Sequence, residues 1–279
     1  MKKVNLHTHS NYCDGSSHLI EYVEKAIEMN FSGIGFSSHA PLGFESSWHM
    51  KSEDYEKYER EISELKIEYK DRIEVWMGLE VDFFDDQSIE FNTKDTRLDY
   101  IIGAVHFLGK GSRQCIDESS VKLEETLRNE YQNDISALIK DYYSKVAKMV
   151  QNRNVDIVAH FDLIKKFNSD NEFFDEAQDW YREIVFEAIA NVKADNPIFE
   201  VNSRGYYRGN TIDFYPSDWI IKYLISEKFR ITINSDAHEP TELDLEYDKI
   251  KNRLRALGLD EIVIFEDAKW QSQSLSLTA

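Results

Sequence analysis

The sequence predicts an α/β fold in which seven parallel strands close, or nearly close, into a barrel. Two observations carry this. Apolar extended runs alternate with helix-period runs along almost the whole chain, the pattern that builds a parallel sheet through right-handed crossovers. Histidines and carboxylates stand at the ends of those extended runs, where a parallel barrel gathers its chemistry. The 279 residues hold no Pro/Gly/Ser-rich linker, which suits one barrel over 1–270, and the small polar residues of 271–279 read as a frayed tail.

The first run, VNLHTH at 4–9, alternates Val4 and Leu6 with Asn5 and His7 and reads as a buried strand ending in polar tips. Leu19, Tyr22, Val23, Ala26 and Ile27 then recur at helical spacing, and GIGFSSH at 33–39 is extended again. Tyr55, Tyr58, Ile62, Leu65 and Tyr69 mark a second amphipathic helix before RIEVWMGLE at 72–80 and YIIGAVH at 100–106. Helical patterns over 119–151, 174–194, 216–228 and 241–257 separate DIVAHF at 156–161, IFEVNS at 198–203 and RITINSDAH at 230–238. Gly258 stops the last helix, and EIVIFE at 261–266 reads as a final edge strand.

With 42% hydrophobic residues the chain has material for a large core, and no apolar stretch approaches the ~20 residues of a membrane span. The net charge of −19 opposes nonspecific binding of nucleic acid, which rests on cationic neutralisation of phosphates. MKKVNLHTHS lacks the apolar segment of a secretory signal, and Cys13 and Cys115 are too few for a disulfide framework. These features predict a cytoplasmic protein with neither a membrane nor a nucleic acid as partner.

Residues i and i+2 of a strand share a face, so His7 with His9 and Asp236 with His238 can each chelate. Either pair alone also fits a solvated turn. Together with Asp14, His39, Glu80, His106 and His160 they put six of the eight histidines directly after β-like runs, which a scatter of surface histidines does not produce. Imidazole with carboxylate suits zinc, manganese or iron rather than calcium or magnesium. A catalytic zinc-like ion takes about three protein ligands. Nine donors with a bridging Glu80 therefore predict two to three divalent transition-metal ions.

These residues form a set of motifs: H-x-H at His7 and His9 with Y-C-D-G from Tyr12, S-S-H-A ending at Ala40, and G-L-E ending at Glu80. V-H-F around His106, H-F-D-L-I-K-K-F from His160 and S-D-A-H ending at His238 complete it. The set resembles the polymerase-and-histidinol-phosphatase family over nearly the whole chain, and within it the histidinol-phosphate phosphatases with a trinuclear metal centre. That resemblance implies a distorted (β/α)7 barrel with one ion on His7, His9, Glu80 and Asp236. It implies a second ion on Glu80, His106 and His160, and a third on Asp14, His39 and His238. Two departures, Ala159 before His160 and Gly109–Gly111 after V-H-F, bear on the substrate loop rather than on the donors.

The implied chemistry is hydrolysis of L-histidinol phosphate, a small phosphorylated metabolite, in histidine biosynthesis. Two ions would lower the pKa of a shared water, whose hydroxide attacks phosphorus in line. Three divalent ions set against Glu80, Asp14, Asp236 and one hydroxide leave a centre of about +2, matched to a phosphomonoester dianion. Asp236 is expected to orient or deprotonate the nucleophile, His238 to help protonate the leaving oxygen, and Glu80 to bridge. Arg204 and Arg208 in NSRGYYRG offer guanidinium forks for phosphate, and His49 can line the substrate pocket. Asp14 precedes Gly15 and also fits a plain turn, His18 reads as a bystander, and Lys165 and Lys166 read as a solvated helix face. Nucleotides or other phosphorylated metabolites are the alternative substrates. Amidohydrolase chemistry is disfavoured because no strand end supplies a metal-bridging lysine.

Overall fold

The fold is described from a computed structural model over residues 2–86, 91–109, 113–152 and 154–275. Seven parallel strands run in the order β1 (Val4–Asn5), β2 (Gly33–Phe36), β3 (Glu74–Asp82), β4 (Tyr100–Ala104), β7 (Ile157–Val158), β8 (Ile198–Asn202) and β9 (Arg230–Asn234). Between β4 and β7 lies the small antiparallel pair β5 (Phe107–Leu108) and β6 (Gln114–Cys115). The first and last barrel strands meet just beyond their ends, where Thr8 bridges Ala237 in parallel. There the His9 amide donates to the Ala237 carbonyl at 2.8 Å and the Ala237 amide to that of His7 at 3.1 Å. All seven predicted strands are present in the predicted order, in a nearly closed barrel.

Helices α1 (Leu19–Glu28) and α2 (Tyr55–Glu68) cover β1 to β3, where Leu19, Tyr22, Val23, Tyr58 and Ile62 are buried against Ile34 and Phe36. The remaining strands carry a larger core with α3 (Ser120–Tyr131), α4 (Ile135–Asn152), α5 (Asp179–Asn191), the single turn α6 (Arg204–Tyr207), α7 (Asp218–Ser226) and α8 (Tyr247–Ala256). Inside the barrel the Tyr100 hydroxyl donates to the Leu6 carbonyl at 2.5 Å. Its ring leaves no room for a side chain at Gly35 or Gly78, where a Cβ would lie 2.4 and 2.5 Å from the nearest Tyr100 atom.

Three expectations are corrected. The helical run over 119–151 is two helices, because Gln132 and Asn133 turn left-handed (φ 55° and 64°), and the Asp134 carboxylate then accepts the Ala137 amide to start α4. EIVIFE is no edge of the barrel sheet: as β10 (Glu261–Glu266) it pairs antiparallel with β11 (Lys269–Ser274). Phe265 of this hairpin packs edge-on against Trp76 near the start of β3, and the Asp267 amide donates to Glu74. The expected tail from 271 is thus partly structured, since Gln271–Ser274 lie in β11 and Leu275 is buried, while 276–279 fall outside the described residues.

Candidate metal centre

The alternation of each strand decides what reaches the upper rim of the barrel. His7 and His9 follow β1, His39 lies three residues past β2, Glu80 is in the last third of β3, and His106 and His160 each stand two residues past β4 and β7. Asp236 and His238 follow β9, and the loop after His9 returns Asp14 to the same place. Asp236 adopts φ 55°, a left-handed conformation that Asp tolerates better than most residues. All nine predicted donors converge. The donor atoms of His9, Asp14, His39 and His238 lie within 4.8 Å of one another, as do those of His7, His9 and Asp236, and those of His39, Glu80 and His106.

Around His7 and His9 the spacing fits metal better than hydrogen bonding. Bonds of about 2.0–2.1 Å to a tetrahedral ion imply donor-to-donor edges of about 3.3–3.4 Å. His7 Nε2 lies 3.3 Å from Glu80 Oε2 and 3.6 Å from Asp236 Oδ1, and His9 Nε2 lies 3.4 and 3.2 Å from the same two oxygens. Both nitrogens are buried without a hydrogen-bond partner, a costly arrangement unless a cation meets the lone pairs. The other Glu80 oxygen, Oε1, is 3.0 Å from His160 Nε2 and 3.8 Å from His106 Nε2. Asp14 is 3.2 Å from His238 Nε2 and 3.8 Å from His39 Nε2. His39 also turns its Nδ1 to Glu80 Oε2 at 3.1 Å, so it touches two parts of the site.

Two carboxylates that sequence reading missed stand behind the donors. Glu200 on β8 faces His7 Nδ1 at 3.0 Å and accepts the His160 amide and the side-chain amides of Asn202 and Asn234. Asp82 accepts from His106 Nδ1 at 2.9 Å. A carboxylate on the far nitrogen fixes the tautomer and leaves Nε2 its lone pair. Signals for both were available. Glu200 interrupts an apolar strand, and Asp82 follows Glu80 by two residues and shares its face. Their charges offset the surplus of about +2 expected from three ions, three carboxylates and one hydroxide.

Electrostatics agree with a cation site. Burial opposes ionisation of Glu80, but the surrounding His39 and His7 hold it well below the usual carboxylate range. Asp236 is likewise depressed against its burial, by His7, His9 and Arg204. Burial alone would lower His7, yet Asp236, Glu200 and Glu80 lift it well above normal. The carboxylates thus favour positive charge here, which a proton or a metal ion can supply.

Seven of the nine donors, all but His7 and His9, line a cavity of about 470 Å³ whose walls include Trp48, Asp117, Glu118, Lys166, Arg204 and Tyr215. Arg204 reaches it as expected, with Nη1 on the Asp236 carbonyl at 3.0 Å and the Tyr207 hydroxyl at 3.2 Å. Arg208 does not line this cavity; it is half exposed beside Glu242. His49 is buried behind the wall and bonded to Asp82 rather than facing the cavity. The solvated face expected at Lys165 and Lys166 is corrected. Lys165 is buried among Asp162, Asp213, Ser217 and the Phe214 carbonyl, and Lys166 meets Asp117 at the cavity wall. His18 caps α1, away from the donors. The 109–115 turn falls partly outside the described residues, at 110–112.

Comparison with known proteins agrees with this geometry. The histidinol-phosphatase of Bacillus subtilis is 27% identical, the match covering 91% of this chain and all of that protein. That of Lactococcus lactis is 26% identical over 99% of both. The solved Lactococcus lactis histidinol phosphate phosphatase, complexed with zinc, L-histidinol and phosphate, superposes with a TM-score of 0.75 at 22% identity, covering 97% of this chain and 99% of that one. The family model of the PHP domain matches residues 5–204, a stretch that runs from β1 to Arg204 and includes seven of the nine donors, and the chain belongs to that family.

Proposed function

We propose that the protein is a metal-dependent phosphomonoesterase that hydrolyses L-histidinol phosphate to L-histidinol and phosphate, with two to three zinc, manganese or iron ions held by the nine donors. The observation that carries this reading is the set of tetrahedral-edge distances among His7, His9, Glu80 and Asp236, with two buried nitrogens lacking any hydrogen-bond partner. Relatives matched along nearly their whole length are histidinol-phosphatases, which supports the substrate.

Bound ions would supply Lewis acidity for the phosphoryl oxygens and a water acidic enough to attack at neutral pH. The chain's own residues do the rest. Glu80 offers one oxygen to the His7 and His9 side and the other to the His106 and His160 side, and so holds the two halves together. Asp236 is steadied by the Asn202 amide on Oδ2 at 3.2 Å, which leaves Oδ1 directed to the centre. Arg204 and Lys166 bring positive charge to the cavity and can meet phosphate oxygens that the ions leave uncovered. His238 has Nδ1 3.1 Å from the Asp236 carbonyl. With a hydrogen there, Nε2 keeps its lone pair, which favours holding a cation over protonating the leaving oxygen. Trp48 gives the leaving group an aromatic wall.

Steady-state kinetics on L-histidinol phosphate, a nucleoside monophosphate and an aryl phosphate test the reading. The expected result is the highest kcat/KM for L-histidinol phosphate, because binding at the amino-imidazole end positions the ester for attack. Arg204→Ala should lower kcat/KM for all three. Equal values for the three would leave a phosphatase without this substrate, and preference for the nucleotide would redirect the assignment.

A further inference from the structure

We propose that His49 is a positioning residue for the metal centre: through Asp82 it fixes the ring of His106 and ties one wall of the substrate cavity to the cation that His106 helps to hold. The proposal rests on the reading of His106 as a metal ligand. Asp82 is fully buried and can only accept while ionised. Its Oδ2 lies 2.8 Å from His49 Nε2, and its Oδ1 lies 2.9 Å from His106 Nδ1 and 3.2 Å from the His106 amide. Both ring nitrogens must therefore carry hydrogen. The Ser46 hydroxyl lies 2.8 Å from the remaining nitrogen of His49, Nδ1, and holds the ring from its other side, while His106 Nε2 is turned towards Glu80, where a cation in place of its proton would meet the lone pair.

The same distances separate this unit from the donors in front of it. The donor atoms of His39, His49 and Asp82 are close enough together to suggest another cation. The His49–Asp82 contact of 2.8 Å, however, is a hydrogen-bond length, shorter than the edge of about 3.3 Å that a shared ion imposes. His49 thus holds Asp82 rather than metal. The residues that carry it also wall the cavity: Ser47 and Trp48 line it, and the Trp48 ring is 3.8 Å from that of His49 and 5.4 Å from that of His106.

A direct contact with substrate at His49 would act on one leaving group, whereas positioning acts on the metal and on every substrate alike. Zinc retained against chelator-buffered free zinc should be measured by elemental analysis for wild type, His49→Ala, His49→Gln, Ser46→Ala and Asp82→Asn. In His49→Ala one ion should be lost at roughly 10–100-fold higher free zinc than in wild type, the cost usual for a lost outer partner of a metal histidine. Asp82→Asn should shift the same ion. His49→Gln, whose amide can donate to Asp82, should restore most of the affinity, and Ser46→Ala should shift it by less than His49→Ala. The kcat/KM values for L-histidinol phosphate and an aryl phosphate should fall by one common factor. Unchanged zinc retention in His49→Ala, or a loss confined to one leaving group, would overturn the proposal. If His49→Ala does not fold, equal retention in Ser46→Ala and Asp82→Asn would overturn it instead. Wild-type protein that retains no zinc, manganese or iron would remove the metal reading itself, an outcome distinct from these.

Discussion

Glu80 lies near five of the six donor histidines, with Oε2 facing His7, His9 and His39 and Oε1 facing His106 and His160. Its replacement by alanine should therefore lower kcat by at least about 100-fold, beyond the usual cost of outer-partner losses. His106→Ala should do the same, and His18→Ala should stay within a few-fold of wild type. Comparable damage from His18→Ala would break the division between donors and bystanders. Protonation gives a second check. Burial lowers the affinity of His106 for protons, but Asp82 outweighs it and lifts the pKa to about 10. A folded-state pKa above the unfolded ~6.5 means that the charged pair stabilises metal-stripped protein fully below pH ~6.5 and loses that contribution as pH rises through about 10. A cation must displace the same proton. Zinc uptake near pH 7.5 should thus release protons, measurable by calorimetry in buffers of different ionisation enthalpy, and apparent affinity should rise with pH over this window. The nine donors were legible in the sequence because histidines and carboxylates at the ends of apolar runs have few other uses in such numbers. Glu200 and Asp82 left signals that went unread, one interrupting an apolar strand and the other two residues past Glu80, whereas Lys165 left none, because a charged letter beside an apolar run looks the same whether it is buried and paired or turned to solvent.

At the scale of elements, apolar extended runs located every barrel strand, since these strands are buried along nearly their whole length and give way to polar tips. Its limit appears at EIVIFE, where the periodicity of a barrel edge and of a separate hairpin is identical and only the partner differs. The break between α3 and α4 was hidden for another reason, because neither Gln132 nor Asn133 is a helix breaker of the Gly or Pro kind, yet both adopt left-handed φ. Close approach inside the barrel gives a sharp prediction. Gly78→Ala would place a methyl group 2.5 Å from the buried Tyr100 ring, which is pinned by its bond to Leu6. The expected loss of unfolding free energy is about 1–3 kcal/mol, checked by chemical denaturation. An unchanged midpoint would show that the ring can move aside.

At the scale of the whole molecule, the net charge of −19 and an acidic centre both favour bound cations. Stripping metal with a chelator should lower the melting temperature and speed amide exchange first at His9 and Ala237, where β1 meets β9. Uniform exchange across all seven strands would show that the ions do not brace this junction. No helix among the described residues is long and apolar enough to cross a membrane. The same junction sets an order in time. Asn5 meets Ser235 across 230 positions of sequence, so His7 and His9 leave the ribosome long before Asp236 and His238. During synthesis the nascent chain carries half a chelate without its complement. Metal capture at full strength would therefore be an event of the finished polypeptide, and a chain cut short just before β9 holds six of the seven barrel strands yet lacks Asp236 and His238 to complete the site.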